Sequence, residues 1–236
     1  MIFLSGGSLD QVERQTPSLT APVQIRPTAF HNRLKLGEVK IKLCRTSREK
    51  SLVRKIILDH HSYKPSTNFV GRQIRYLIFN DNIIVGAFIV GSYVLRDSKP
   101  LKTFIGWNKE QRKRNFNKVS CLLRVCFTSK APKNIPSKAL SLFYSQVKHD
   151  WKEKYNDKLV LLVSFVHRKY KGTIFKAANW IFLGYTRGFS LKSVSKGSSG
   201  LPYFKNGNIK TVKAVDGPKQ IYVKPLHRYW RRELLR

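Results

Sequence analysis

Histidines, carboxylates and thiols are the side chains that move protons, hold metals or attack carbonyls. Asp59-His60-His61 is the densest such cluster. Adjacent side chains at a helix end point in different directions, so His60 and His61 do not chelate one ion together. A His at a helix C-terminus is also favoured by the dipole, which leaves capping as one role for His61 and acid–base chemistry as the other. Residues 111–149 and 158–215 contain no Asp or Glu. A two-metal nuclease needs several carboxylates around one site, so that class is disfavoured and no metal site is expected. Cys44, Cys121 and Cys126 form no CxxC pair and an odd set, against a zinc site or a disulfide framework. Cys121 and Cys126 sit in an apolar fragment, which suits packing better than nucleophilic attack. No glycine-rich phosphate loop of the P-loop or dinucleotide type occurs, and no cofactor is expected.

The positive signal is basic and aromatic. Trp107 precedes Lys109, Arg112, Lys113 and Arg114, and Arg72 follows a glycine. His167-Arg168-Lys169-Tyr170-Lys171 and Tyr185-Thr186-Arg187 mix cations with rings, as does His227-Arg228-Tyr229-Trp230-Arg231-Arg232. Arg and Lys reach phosphates, while Trp, Tyr and guanidinium planes stack on unpaired bases. The candidate nucleic-acid contacts are therefore Arg72, Trp107, Arg112, Arg114, Arg168, Lys169, Arg187, Arg228, Trp230, Arg231 and Arg232. Across 236 residues, 46 Lys and Arg against 13 Asp and Glu give a formal charge of +33, and residues 1–30 contribute none of it. Self-repulsion on that scale calls for a polyanionic partner, DNA or RNA first and anionic lipid as the other candidate. No apolar run approaches the ~18 residues of a membrane span, and the absence of a secretory h-region and of paired thiols points to the cytoplasm.

These residues need elements to hold them. Residues 1–45 read as a largely extended or disordered arm, with Pro17, Pro22 and Pro27 and little periodicity. Thr46 and Glu49 have capping-box spacing, which predicts a helix over 47–60 with Leu52, Val53, Ile56 and Ile57 on its apolar face. Gln73–Phe79 alternates, Asn80-Asp81-Asn82 is turn chemistry, and Ile83–Val90 is nearly all apolar, which predicts a hairpin. A polar helix over 109–118, a strand over 121–127 and a long amphipathic helix over 137–155 follow. A buried strand over 159–166, a helix over 173–180, a Ser/Gly/Lys-rich stretch over 190–217 and a strand over 220–223 complete the α/β domain at 225. Residues 226–236 are a basic aromatic tail. Strands alternating with helices predict an α/β fold with a mixed sheet.

Five motifs stand in a fixed order: Asp59-His60-His61-Ser62-Tyr63, Gly71-Arg72-Gln73-Ile74-Arg75-Tyr76-Leu77-Ile78, Gly106-Trp107-Asn108-Lys109-Glu110-Gln111-Arg112, Ala178-Asn179-Trp180 with Leu183-Gly184-Tyr185-Thr186-Arg187-Gly188, and Pro218-Lys219-Gln220-Ile221-Tyr222-Val223. Together they resemble the DruA family, a component of the Druantia anti-phage system, over roughly residues 50–232. The resemblance implies a role in phage defence or mobile-element biology and partners from such a complex. Members of that family tend to carry an Asn-rich stretch where this chain has Ser120-Cys121-Leu122-Leu123-Arg124-Val125. The element order also resembles the GNAT acyltransferase superfamily, which implies a GNAT-like core. In that superfamily a glycine-rich loop opening the long helix cradles the acyl-CoA pyrophosphate. The corresponding segment here, Ala131–Ser137, has two prolines and no glycine, so acetyl-CoA binding is not implied.

Three functions compete. The first is a nucleic-acid binder on a GNAT-like scaffold. The second is a transferase modifying a nucleic acid or a group bound to one, with His61, Gln73, Tyr76, Asn179 and Thr186 as the polar residues expected to converge. The third is a basic structural protein of a ribonucleoprotein or virion.

Overall fold

The computed structural model describes residues 34–61, 67, 69, 71–92, 98–193, 209–213 and 217–236. Residues 1–33 of the expected arm, and Ser62 and Tyr63 of the first motif, lie outside them. Strand β1 (Val39–Leu43) leads into helix α1 (Ser47–His60), then the hairpin β2 (Gln73–Asn80) and β3 (Ile83–Ser92). Helices α2 (Lys99–Ile105) and α3 (Lys109–Asn115) and a 3-10 turn, Phe116–Lys118, precede β4 (Val119–Phe127). The long helix α4 (Ile135–Tyr155), β5 (Leu161–His167), α5 (Thr173–Ala177) and β6 (Ile181–Tyr185) come next. A separate two-stranded sheet, β7 (Phe189–Ser193) with β8 (Ile209–Lys213), precedes β9 (Lys219–Pro225) and α6 (Trp230–Leu235).

Seven strands form one mixed sheet in the order β1-β2-β3-β4-β5-β9-β6. Only β4 and β5 run parallel; every other neighbouring pair is antiparallel. The expected mixed α/β class is therefore the observed one. Helix α2 answers to no element expected from the sequence, and three further elements depart from expectation. Residues 39–43, assigned above to the arm, form the edge strand β1 in register with Leu43 opposite Tyr76. The helix expected over 173–180 stops at Ala177, and Ile181–Tyr185 is a strand. The tail expected from 226 contains a docked helix, α6. Each owes its form to partners distant in the chain, which local periodicity does not report.

The capping box of α1 is complete: Thr46 Oγ1 accepts from Glu49 N–H at 3.2 Å, and the Glu49 carboxylate accepts from Thr46 N–H at 3.0 Å. Val53, Ile56 and Ile57 then bury against Leu77, Ala87, Ile89 and Cys126. On the opposite face of the same strands, Ile74, Tyr76 and Ile78 meet Phe143 and Val147 of α4. Phe143 makes edge-to-face contacts with Tyr76 and Phe88, both at 5.3 Å between centroids. A third cluster joins Leu101 and Ile105 of α2 and Leu234 of α6 to Val119, Val163, Ile221 and Val223. One face of the sheet thus carries α4 and α5, and the other carries α1, α2 and α6.

Candidate nucleic-acid interface

Helix α3 has only seven residues, so it depends on caps and neighbours. Asn108 supplies the cap: its Oδ1 accepts from Gln111 N–H at 2.8 Å, and Gln111 Oε1 accepts from Asn108 N–H at 2.9 Å. The other neighbour is α6. Asn115 Nδ2 donates to Leu234 O at 2.9 Å, Lys118 Nζ to Glu233 O at 3.0 Å, and Gln111 Nε2 to Leu235 O. The last carbonyls of a helix have no intrahelical partner. Here side chains of the α3 region satisfy three of them in α6.

Around this junction Trp230 stacks on Phe104, with centroids 4.7 Å apart and ring planes 11° from parallel. The Arg231 guanidinium lies 4.7 Å from the Trp230 ring centroid and 5.4 Å from that of Phe104. Trp107 is half-buried in the same apolar cluster. Lys109, Lys113 and Arg114 on α3 and Arg228, Arg231, Arg232 and Arg236 around α6 are exposed, while Arg112 is half-buried with its guanidinium 5.3 Å from the Phe116 centroid. Residues 109–118 hold five cations and Glu110; residues 226–236 hold four arginines and Glu233. Glu233 pairs with Lys158 at 2.9 Å, and that hydrogen bond holds its carboxyl below the usual range. The structure therefore brings together Trp107, Arg112, Arg114, Arg228, Trp230, Arg231 and Arg232. Lys118, Lys158 and Phe104 complete the junction. Their roles depend on the fold, although Lys118 ends a segment already visibly basic.

A second basic cluster lies at the other end of the strands. Arg168 and Lys169 follow His167, which stands opposite Lys219, and Arg187 follows Tyr185, which stands opposite Gln220. Thr186 fixes the turn: its N–H donates to Lys219 O at 2.8 Å and its Oγ1 accepts from Lys219 N–H at 2.9 Å. Arg72 belongs to neither cluster. It pairs with Asp157, and its guanidinium lies 5.3 Å from the Tyr155 centroid.

The five polar residues expected to converge lie on separate elements. His61 caps α1, its N–H donating to Ile57 O at 3.0 Å. Gln73 opens β2, accepting from Arg75 at 3.0 Å and donating to Phe69 O at 3.2 Å. Tyr76 is fully buried on the other face of β2, where burial first and Asp150 second push its phenol pKa up. Asn179, with φ 56°, makes the turn into β6 and is exposed, while Thr186 lies beyond the far end of that strand. β2 and β6 are separated by β3, β4, β5 and β9. All three thiols are buried, and burial pushes Cys121 up to about 12 and Cys44 and Cys126 up to about 11. Among the described residues, one set of ligand-type side chains, His149, Asp150 and Glu153, lies on α4 with candidate atoms within 4.8 Å of one another. Its Glu153 also pairs with Arg45 at 3.1 Å.

The parallel strands β4 and β5 pair only through Val119–Cys121 and Leu161–Val163. Beyond that point a side chain bridges them, with Ser164 Oγ donating to Leu122 O at 3.2 Å. A cleft of about 300 Å³ opens where β4 ends, lined by Thr128, Lys133, Asn134 and Ser137 from the following loop and helix and by Thr173 and Ile174 of α5. No helix among the described residues is long and apolar enough to cross a membrane.

A seven-stranded mixed sheet with one parallel pair, flanked by helices on both faces, defines an α/β protein built on a single mixed sheet. Among solved structures it is similar to FeeM, an N-acyl amino acid synthase from uncultured soil microbes, at 13% identity over 83% of this chain and 94% of that one, with a TM-score of 0.46. It is also similar to an N-acetyltransferase from Staphylococcus aureus Mu50, at 10% identity over 80% and 99% of the two chains, with a TM-score of 0.45. A third is aminoglycoside acetyltransferase AAC(6')-Ib in complex with coenzyme A, at 11% identity, 80% and 95% coverage and a TM-score of 0.46. No curated protein matches by sequence. Over residues 11–197 the chain matches the family of the Druantia protein DruA, and it belongs to that family.

Proposed function

We propose that this DruA-family chain binds nucleic acid through the joined α3–α6 surface, as part of an anti-phage complex. The observation that carries the reading is the docking of two basic segments, with 115 to 124 residues between bonded partners, into one cationic face. Their two acids are Glu110 and the ion-paired Glu233. Exposed guanidinium and ammonium groups on a fixed surface suit contacts to phosphates and give no base code. Arg168, Lys169 and Arg187 extend the same chemistry to the far strand ends.

A salt-titrated binding assay on nuclease-treated protein tests this, with duplex DNA, single-stranded DNA and structured RNA compared. A protein touching about six to ten phosphates loses ~10³–10⁵ in affinity between 50 and 200 mM salt. Arg114→Ala, Arg228→Ala and Arg232→Ala are each expected to weaken binding on all sequences and lower the salt slope by about one. Weak binding with a flat salt response would overturn the reading. The cleft between the β4–α4 loop and α5 favours a second reading, group transfer. A rise in Tm with acetyl-CoA would support it, and an unchanged Tm at saturating cofactor would remove it.

A further inference from the structure

β6 is an edge strand, and its register against β9 slips by one residue between Phe182 and Gly184. Phe182 stands opposite Tyr222 and Tyr185 opposite Gln220. Gln220 and Tyr222 are two apart on β9 and so share a face. The bulge at Leu183 therefore brings Phe182 and Tyr185, three residues apart, onto that same face, where simple alternation would have opposed them. The two rings meet edge to face at 5.5 Å. Phe182 is backed by Tyr222 at 5.4 Å, which in turn stacks on Phe175 of α5 at 5.1 Å. Helix α5 ends at Ala177, and the ledge stays open: Phe182 is 43% and Tyr185 55% exposed.

Cations surround this ledge. Arg187 follows it, and Arg168 and Lys169 leave β5 on the far side of β9. Gln220 Nε2 donates to the Tyr170 carbonyl, tying that loop beside the ledge, and the Tyr170 ring is 40% exposed under the Lys169 ammonium. No carboxylate occurs from residue 158 to 215. Open rings on a rigid strand, framed by positive charge, match the two halves of an unpaired nucleotide: a flat base and a phosphate.

We propose that Phe182 and Tyr185 form a stacking platform for unpaired bases, with Arg168, Lys169 and Arg187 holding the flanking phosphates of single-stranded nucleic acid. The inference rests on the nucleic-acid reading above but concerns a different surface, at the opposite end of β5, β9 and β6 from α6. The test uses the full chain with three labelled probes: oligothymidylate, the same backbone without bases, and a duplex. Tyr185→Leu and Phe182→Leu are each expected to weaken oligothymidylate binding about tenfold, with an unchanged salt slope, because a ring is lost and no charge. Binding of the base-free strand and of the duplex should match the unsubstituted protein, and Tyr185→Phe should retain full affinity. Tyr185 is the more exposed of the two, so Tyr185→Leu with an unchanged Tm keeps the test independent of folding. Unaltered oligothymidylate binding by that variant, or an equal loss on the base-free strand, overturns the platform while leaving the α3–α6 reading in place. Failure of the unsubstituted protein to bind any probe overturns both.

Discussion

Gly172 and Gly106 both adopt positive φ, at 66° and 78°, yet their surroundings differ. A Cβ on Gly172 would fall 2.0 Å from the Tyr222 hydroxyl oxygen, whereas one on Gly106 would meet nothing within 4 Å. Gly106→Ala should therefore cost only the left-handed backbone, about 1 kcal/mol, and Gly172→Ala distinctly more, as read by urea denaturation. The thiols make a second test at this scale. With their pKa values pushed up by burial, Cys44, Cys121 and Cys126 should resist a thiol reagent at pH 8 until the chain unfolds. The packing role of Cys121 and Cys126 was legible from the apolar fragment that holds them, and that of Cys44 was not. The burial of Tyr76 was visible only as alternation, because a single strand shows which residues share a face and not which helix will cover it. Phe182 and Tyr185 were less legible still, since a bulge is a relation between two strands and leaves no periodic trace in one.

The elements that sequence revealed are those with local causes. The α1 boundaries follow from its capping box, the β2–β3 hairpin from its turn, and α4 from its apolar spacing. Thr46→Ala should cost about 1 kcal/mol, measured by thermal or chemical unfolding, because Glu49 N–H loses its acceptor. Hydrogen bonds from Lys42 and Thr46 hold the Glu49 carboxyl at about 2, below its ordinary 4.5. A carboxyl lowered by folding stabilises the native state above its unfolded pKa. That contribution is lost as pH falls from about 4.5 toward 2. Acid titration of Glu49→Gln should accordingly show a shallower loss of stability through that window. β1, α2, β6 and α6 were missed because none has an internal signature strong enough to stand alone. β1 is held by β2, β6 by β9, and α6 by side chains of α3.

For the whole molecule, charge decides what folding alone leaves unresolved. A formal +33 makes neighbouring cations repel, and a bound polyanion relieves that repulsion. Saturating duplex DNA should raise Tm, with the increment shrinking as salt rises, because a ligand that binds only the native state adds to its stability. The basic segments of the proposed interface were each readable in sequence, but their union was not. It depends on Gln111, Asn115 and Lys118 reaching carbonyls more than a hundred residues later. That same seal has a consequence for the order of events during synthesis. Contacts so distant along the chain close late, since the intervening loop must be ordered first. A nascent chain halted before residue 230 carries the α3 half of the cationic face without its counterpart. Chains truncated before Trp230 should accordingly capture far less nucleic acid than the full sequence, so docking of α6 itself sets when the face becomes able to bind.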